Sequence, residues 1–259
     1  MTENIDYTTV TEAPGNRVRR EAIDMVVTRY GFAAQHSADK RVLEVACGAG
    51  HGLGWIANEA AWVVGGDYTP SLLESARAHY GMRVPLVRLD AQALPFRDGS
   101  FDVILLFEAL YYLQAPERVL AECRRVLGPS GTLLISSVNC RWADFNPSPF
   151  SVKYYSAPEL RALLAAHGFE TEVYGAFSVA PDTVRDKIVV CVKRVAVALH
   201  LVPKTMKGKE FLKRLFYGEL FEFPREVQPG QGVVAPLVPI AEAAAAAGFK
   251  VLYAVARPH

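Results

Sequence analysis

The feature that most constrains this chain is residues 42–54, Val-Leu-Glu-Val-Ala-Cys-Gly-Ala-Gly-His-Gly-Leu-Gly. From Val42 to Ala46 every residue is apolar except Glu44, the pattern of a strand buried on both faces. The glycines then break the strand into a turn, and a helix is predicted over residues 53–61. Glycine lets a ligand approach the backbone closely, and the first N–H groups of a helix, having no intrahelical partner, suit an anionic or polar ligand. Glu44 is a second pointer, because a carboxylate in a buried strand is costly to desolvate and needs a purpose. Taken alone, the segment also fits an ordinary strand–turn–helix of an α/β protein.

The next strand narrows the ligand. Residues 61–67 read as a second strand ending in Asp67, with Thr69 and Pro70 as the cap and first residue of a helix over 71–80. Parallel strands place their carboxyl ends at one edge, where ligands bind. An ionised Asp67 there offers two accepting oxygens to a sugar diol. Nicotinamide- and flavin-binding turns have the pattern G-x-G-x-x-G. Here Leu53 or Trp55 stands where the third glycine should, so neither frame fits.

Residues 90–102, Asp-Ala-Gln-Ala-Leu-Pro-Phe-Arg-Asp-Gly-Ser-Phe-Asp, stand at the right distance from the glycine turn. Together with the hydrophobic-Glu-hydrophobic-Ala-Cys-Gly-Ala-Gly run, and with residues 125–133, this passage resembles the class I S-adenosylmethionine-dependent methyltransferases of the small-molecule type. The resemblance spans about residues 38–140. Ala46 departs from it, standing where the family usually has the first glycine. The resemblance implies a Rossmann-like α/β fold with seven strands, the last antiparallel and inserted beside the fifth, and helices on both faces. It also implies S-adenosylmethionine as cofactor and S-adenosylhomocysteine as product. Glu44, Ala46, Gly48 and Gly50 would contact the cofactor, Asp67 would hold the ribose, and Tyr68 would stack near the adenosine. Asp90 would accept from the adenine amino group, with Ala91, Gln92 and Phe107 lining the same cleft.

Methyl transfer from a sulfonium requires alignment and, for a hydroxyl acceptor, removal of one proton. Glu108, at the mouth of the fourth strand beside Phe107, Tyr111 and Tyr112, is the candidate base. Its alternatives are to orient a substrate hydroxyl or to cap the next helix. His51 is a second catalytic candidate, with packing or capping as its alternative. No metal is expected, since no histidine pair stands at ligand spacing.

The 259 residues, 51% hydrophobic and 21% charged, suit a single domain. Residues 1–37 would cap the cofactor, with a helix over 16–30 and with Thr11, Asn16 and Arg20 as candidates for the methionine carboxylate. Residues 178–239 exceed what a hairpin needs and are expected to form a helical lid. Between Asp182 and Arg214 nine basic residues stand against three acids, on a chain whose net charge is +1. Three readings of this asymmetry stay open: a solvated lid face, an anionic handle for a phosphorylated acceptor, or peripheral contact of residues 183–214 with an anionic membrane. The near-neutral total argues against nucleic acid. Four unpaired-looking cysteines, no leader sequence and no apolar run of spanning length make a cytoplasmic location the expectation. The expected activity is methylation of a small molecule at a hydroxyl, ahead of nitrogen or carbon, with a sugar or a phosphorylated or lipid-linked molecule as candidate acceptors. The alternatives are a cofactor-binding module without catalysis, or a nicotinamide-dependent oxidoreductase.

Overall fold

A computed structural model describes residues 7–11, 13–179, 219–241 and 247–259. The apolar run at 42–46 forms β2 (Arg41–Val45), and it lies inside the sheet. It pairs in parallel with β3 (Trp62–Asp67) on one side and β5 (Phe101–Phe107) on the other. β4 (Leu86–Arg88) extends the sheet beyond β3, and β6 (Leu127–Val138) lies beside β5, both in parallel. β7 (Phe169–Ser178) is separated from β6 by β10 (Phe249–Pro258), which is antiparallel to both. This is the expected inserted last strand.

Helices cover both faces, and the pleat of β2 shows which residues meet them. Val42 packs with Ile23, Val26, Val27 and Tyr30 of α1 (Arg20–Ser37), and with buried residues of α2 (Leu53–Glu59) and α3 (Pro70–Tyr80). Leu43 and Val45 face the opposite way, into the core formed with α4 (Pro116–Val126) and α5 (Ala157–Ala166). Because alternate residues of a strand share a face, Glu44 lies on the side of Val42, beneath α1.

Two expectations change, the start of the N-terminal helix and the number of strands. The N-terminal helix begins at Arg20 rather than 16, because residues 17–18 form β1 (Arg17–Val18), paired with β8 (Phe221–Glu222). Residues 128–131, Gly-Pro-Ser-Gly, have the composition of a turn, yet the backbone stays extended through them, and Leu127 pairs with Phe101 across an irregularity in the β5–β6 register. The sheet gains an eighth strand, β9 (Val238–Pro239), antiparallel to the edge of β7. Of the segment expected as a lid, residues 219–239 are described and contain two short strands, β8 and β9, while residues 180–218 lie outside the described residues. The basic stretch 182–214, with its membrane and anion readings, lies outside the described residues, as do residues 242–246 of the alanine-rich run that precedes β10.

The described part of that segment is a strap along the N-terminal helix. Arg20 donates to the Gln231 carbonyl, the Val233 N–H donates to Asp24, and the Ala235 N–H donates to the Thr28 hydroxyl. Glu226 at its centre is paired with His79 and Arg83 of the α3 region. Among the described residues no helix is long and apolar enough to cross a membrane.

Candidate functional site

The carboxyl ends of β2 to β5 lie at one edge of the sheet, and the turn after β2 forms the floor of a cleft there. Ala46, Gly48 and Gly50 all have left-handed backbones, with φ of 61°, 57° and 80°. Asp67 ties the turn to β3: Oδ2 accepts the Gly48 N–H and Oδ1 the Thr69 N–H, each at 2.8 Å. From α3, the Tyr80 hydroxyl donates to the Gly50 carbonyl at 2.6 Å and accepts the Gly54 N–H at 3.1 Å. Ala46 thus occupies a conformation that disfavours a Cβ, which is why glycine is the usual residue there. Ala46→Gly is expected to raise stability by about 1 kcal/mol in urea unfolding, by removing this strain.

Two adjoining cavities open above the turn and share Ala46, Ala109 and Tyr112 in their walls. The larger, about 630 Å³, is lined by Asp67, Tyr68, Asp90, Ala91 and Gln92, and closed by Tyr7 from the N-terminal segment. Asp90 Oδ1 accepts the Gln92 N–H at 2.9 Å, forming a tight turn that leaves Oδ2 for a ligand. Burial raises the Asp67 carboxyl above its ordinary value, while the Thr69 and Gly48 N–H groups oppose that rise. The loop after Asp90 is held by Arg125, whose guanidinium binds the Leu94 and Phe96 carbonyls, Asp98 and Glu122. That explains why an arginine in α4 accompanies the Leu-Pro-Phe-x-Asp sequence.

The smaller cavity, about 290 Å³, lies between the glycine turn and the end of β5, and its walls include Glu44, Gly48, His51, Phe107 and Glu108. Glu108 also has a left-handed backbone, φ 50°. Its carboxylate accepts the Tyr111 hydroxyl at 3.0 Å and the Ser136 hydroxyl at 3.1 Å, with Arg29 Nη2 at 3.9 Å. Glu44 Oε1 accepts the Tyr30 hydroxyl at 2.6 Å, whereas Oε2 is buried with no hydrogen-bond partner among the described residues. Burial pushes the Glu44 carboxyl up to about 7, against the opposing pull of Tyr30 and Arg29. His51 packs edge-on against Phe223, its Nδ1 3.0 Å from the Pro224 carbonyl. A carbonyl only accepts, so this nitrogen carries the proton and the strap fixes the tautomer.

The cleft therefore brings together Glu44, Ala46, Gly48, His51, Phe107 and Glu108 around one cavity and Asp67, Tyr68, Asp90, Ala91 and Gln92 around the next, whereas Gly50 lines neither and is tied through its carbonyl to Tyr80. Of the three carboxylate-binding candidates only Thr11 lines it. Arg20 instead pairs with Asp24 and binds the strap, and the Asn16 carbonyl accepts the Phe223 N–H. Sequence reasoning missed Tyr7, Met25, Arg29 and Tyr30. Met25 and Arg29 stand one helical turn apart on α1, a spacing that puts both on one stripe, but nothing local says that the stripe faces a ligand. Among the described residues no group of histidine, cysteine or carboxylate side chains could hold a metal.

A Rossmann-like sheet with a glycine turn, an acid at the end of the second of these strands and a further acid after the third has the form of an adenosine-binding α/β domain. A family model described as a methyltransferase domain matches residues 43–135. A demethylmenaquinone methyltransferase of Thermus thermophilus is 30% identical over 186 residues, covering 59% of this chain and 81% of that protein. The chain belongs to the class I S-adenosylmethionine-dependent methyltransferases. A protein of Mycolicibacterium smegmatis named a probable S-adenosylmethionine-dependent methyltransferase is 36% identical over 149 residues, 55% of this chain and 57% of that protein. The match thus spans little more than half the length of that relative. The fold agrees with a Thermotoga maritima methyltransferase structure, described as a possible histamine N-methyltransferase, at TM-score 0.58, 16% identity and 92% coverage of each chain. The residues present fit S-adenosylmethionine: the Asp67 and Asp90 carboxylates border the larger cavity, and the unpartnered Glu44 oxygen belongs to a residue bordering the smaller.

Proposed function

We propose that the chain transfers a methyl group from S-adenosylmethionine to a hydroxyl of a small acceptor, with Glu108 as the acceptor-facing base. The observation that carries this reading is the position of Glu108. Its carboxylate borders the same cavity as the glycine turn and is fixed there by two hydroxyl donors. When bound, S-adenosylmethionine supplies an already activated methyl. The chain's own part is then alignment and proton removal. Asp67 and Asp90 hold the adenosine end, and Tyr7 and Tyr112 close over it. Glu108 takes the proton of the acceptor hydroxyl as the new C–O bond forms and the C–S bond breaks. Its two hydrogen-bonded oxygens keep the carboxylate from turning away. The cavity of about 290 Å³ suits a small acceptor group rather than a macromolecular surface.

Two expected results test this reading. Asp90→Ala should weaken S-adenosylmethionine binding in calorimetry by about 1.5–3 kcal/mol, the range for hydrogen bonds to a charged group. Glu108→Gln should keep the binding of cofactor within a few-fold while lowering turnover about 100-fold or more on any hydroxyl acceptor found. Turnover unchanged in Glu108→Gln would remove the base. Tight cofactor binding with no S-adenosylhomocysteine formed from a broad acceptor panel would favour a binding module.

A further inference from the structure

Three separate parts of the cleft converge on one side chain that belongs to none of its motifs. Tyr30 lies in α1 and is buried. Its hydroxyl donates to Glu44 at the end of β2, at 2.6 Å. The ring stands edge-on to Phe107 at the end of β5, with centroids 5.9 Å apart and planes at 79°. The same ring lies over Gly52, where a Cβ would fall 2.0–2.2 Å from three of its carbons. Gly52 is therefore glycine to admit Tyr30, not to meet the ligand. With Oε1 of Glu44 engaged by Tyr30, Oε2 is the buried oxygen still without a partner.

Resting on the cofactor reading above, we propose that Tyr30 is a positioning residue, which fixes the Glu44 carboxylate so that its second oxygen receives the cationic amino-acid end of S-adenosylmethionine. A buried carboxylate keeps its charge only when donors or cations surround it. The groups that act on Glu44 come from every side. Tyr30 and Arg29 of α1 favour its charged form, Asp67 at the end of β3 opposes it, and Cys47 and Tyr80 both feel it. Losing the Tyr30 hydroxyl removes one of the two favouring groups. The Glu44 proton is then held to higher pH, and at neutrality a cation meets a more nearly neutral partner. Raising the pH restores the charge, so the defect is conditional.

Tyr30→Phe isolates this role, since the ring that packs on Gly52 and Phe107 is retained. Calorimetric titration with S-adenosylmethionine and S-adenosylhomocysteine from pH 6 to pH 9 provides the measurement. The expected result is binding about tenfold weaker than wild type at pH 7, converging towards wild type at pH 9. In a Glu44→Gln background, where no charge remains to be held, Tyr30→Phe should add little further loss. Affinity at pH 7 within twofold of wild type would overturn the proposal. So would a loss that is the same at every pH, since that would be a packing effect. A wild-type chain that binds neither ligand would remove the cofactor reading and this proposal with it, whereas intact wild-type binding with an unaffected Tyr30→Phe removes the proposal alone.

Discussion

Glu44→Gln is expected to yield a protein that is more stable at alkaline pH and poorer at binding cofactor. The Glu44 carboxyl is raised from 4.5 to about 7 by burial, the largest cause, which the Tyr30 hydrogen bond and Arg29 only partly offset. A raised carboxyl binds its proton more tightly in the folded state than in the unfolded one. Its contribution to stability is therefore fully present below about pH 4.5 and is lost as the pH rises through 7. By pH 8 the folded chain carries a buried negative charge disfavoured by roughly 3 kcal/mol relative to the unfolded chain. Glutamine keeps an acceptor for Tyr30 and carries no charge, so the variant should exceed wild type by about that amount at pH 8. At pH 4 the two should be nearly equal. Urea unfolding at the two pH values is the measurement, and a pH-independent difference would refute the assignment. In parallel, on the proposal that Glu44 receives the amino-acid end of S-adenosylmethionine, affinity for it should fall at least about tenfold with the charge.

Gly52→Ala should be the most damaging single methyl group that can be added to the cleft. The new Cβ would sit 2.0 Å from Tyr30 Cδ1, far inside contact distance. The ring has little room to retreat, with Phe107 against it and Glu44 bound to its hydroxyl. Overpacking of this kind is expected to cost about 3 kcal/mol in denaturant unfolding and to weaken cofactor binding as the turn shifts. Tyr30→Ala alone leaves a large void and costs a similar amount. The double variant removes the collision, so its loss should fall short of the sum by about 2 kcal/mol. Simple additivity would mean that the two residues do not share one space.

How much of the site was legible in the amino-acid sequence depends on how local each signal is. Asp67 and Asp90 could be placed because the first ends a short apolar strand and the second follows another closely, so strand topology carries them to the ligand edge. The glycine turn was legible for the same reason, and Ala46, read as a departure, is found in the same left-handed backbone that glycine would adopt. Tyr30 and Arg29 were not legible as site residues. Helical periodicity says that a face of α1 is buried, not that the burial is against a carboxylate fourteen residues away in a strand. Asn16 and Arg20 were misplaced by the same gap, since their partners, Phe223 and Gln231, lie some two hundred residues further along. Residues 128–131, with two glycines and a proline, have the composition of a turn. Pairing of Leu127 with Phe101 overrides it, a tertiary effect that composition does not carry.

The position of β10 has a bearing on how the chain is made. Among the described residues β7 and β9 reach the rest of the sheet only through β10, which is hydrogen-bonded on both sides. The four acids of the cleft, Glu44, Asp67, Asp90 and Glu108, all precede β6 in the chain. β6 must then wait with an unpaired edge while residues 139–248 are translated, on the order of ten seconds at ordinary elongation rates. Its buried stretch Leu133, Leu134 and Ile135 makes that edge a template for the wrong partner. The nascent ligand-binding half is thus the part that a chaperone, or cofactor captured early, would have most reason to shield.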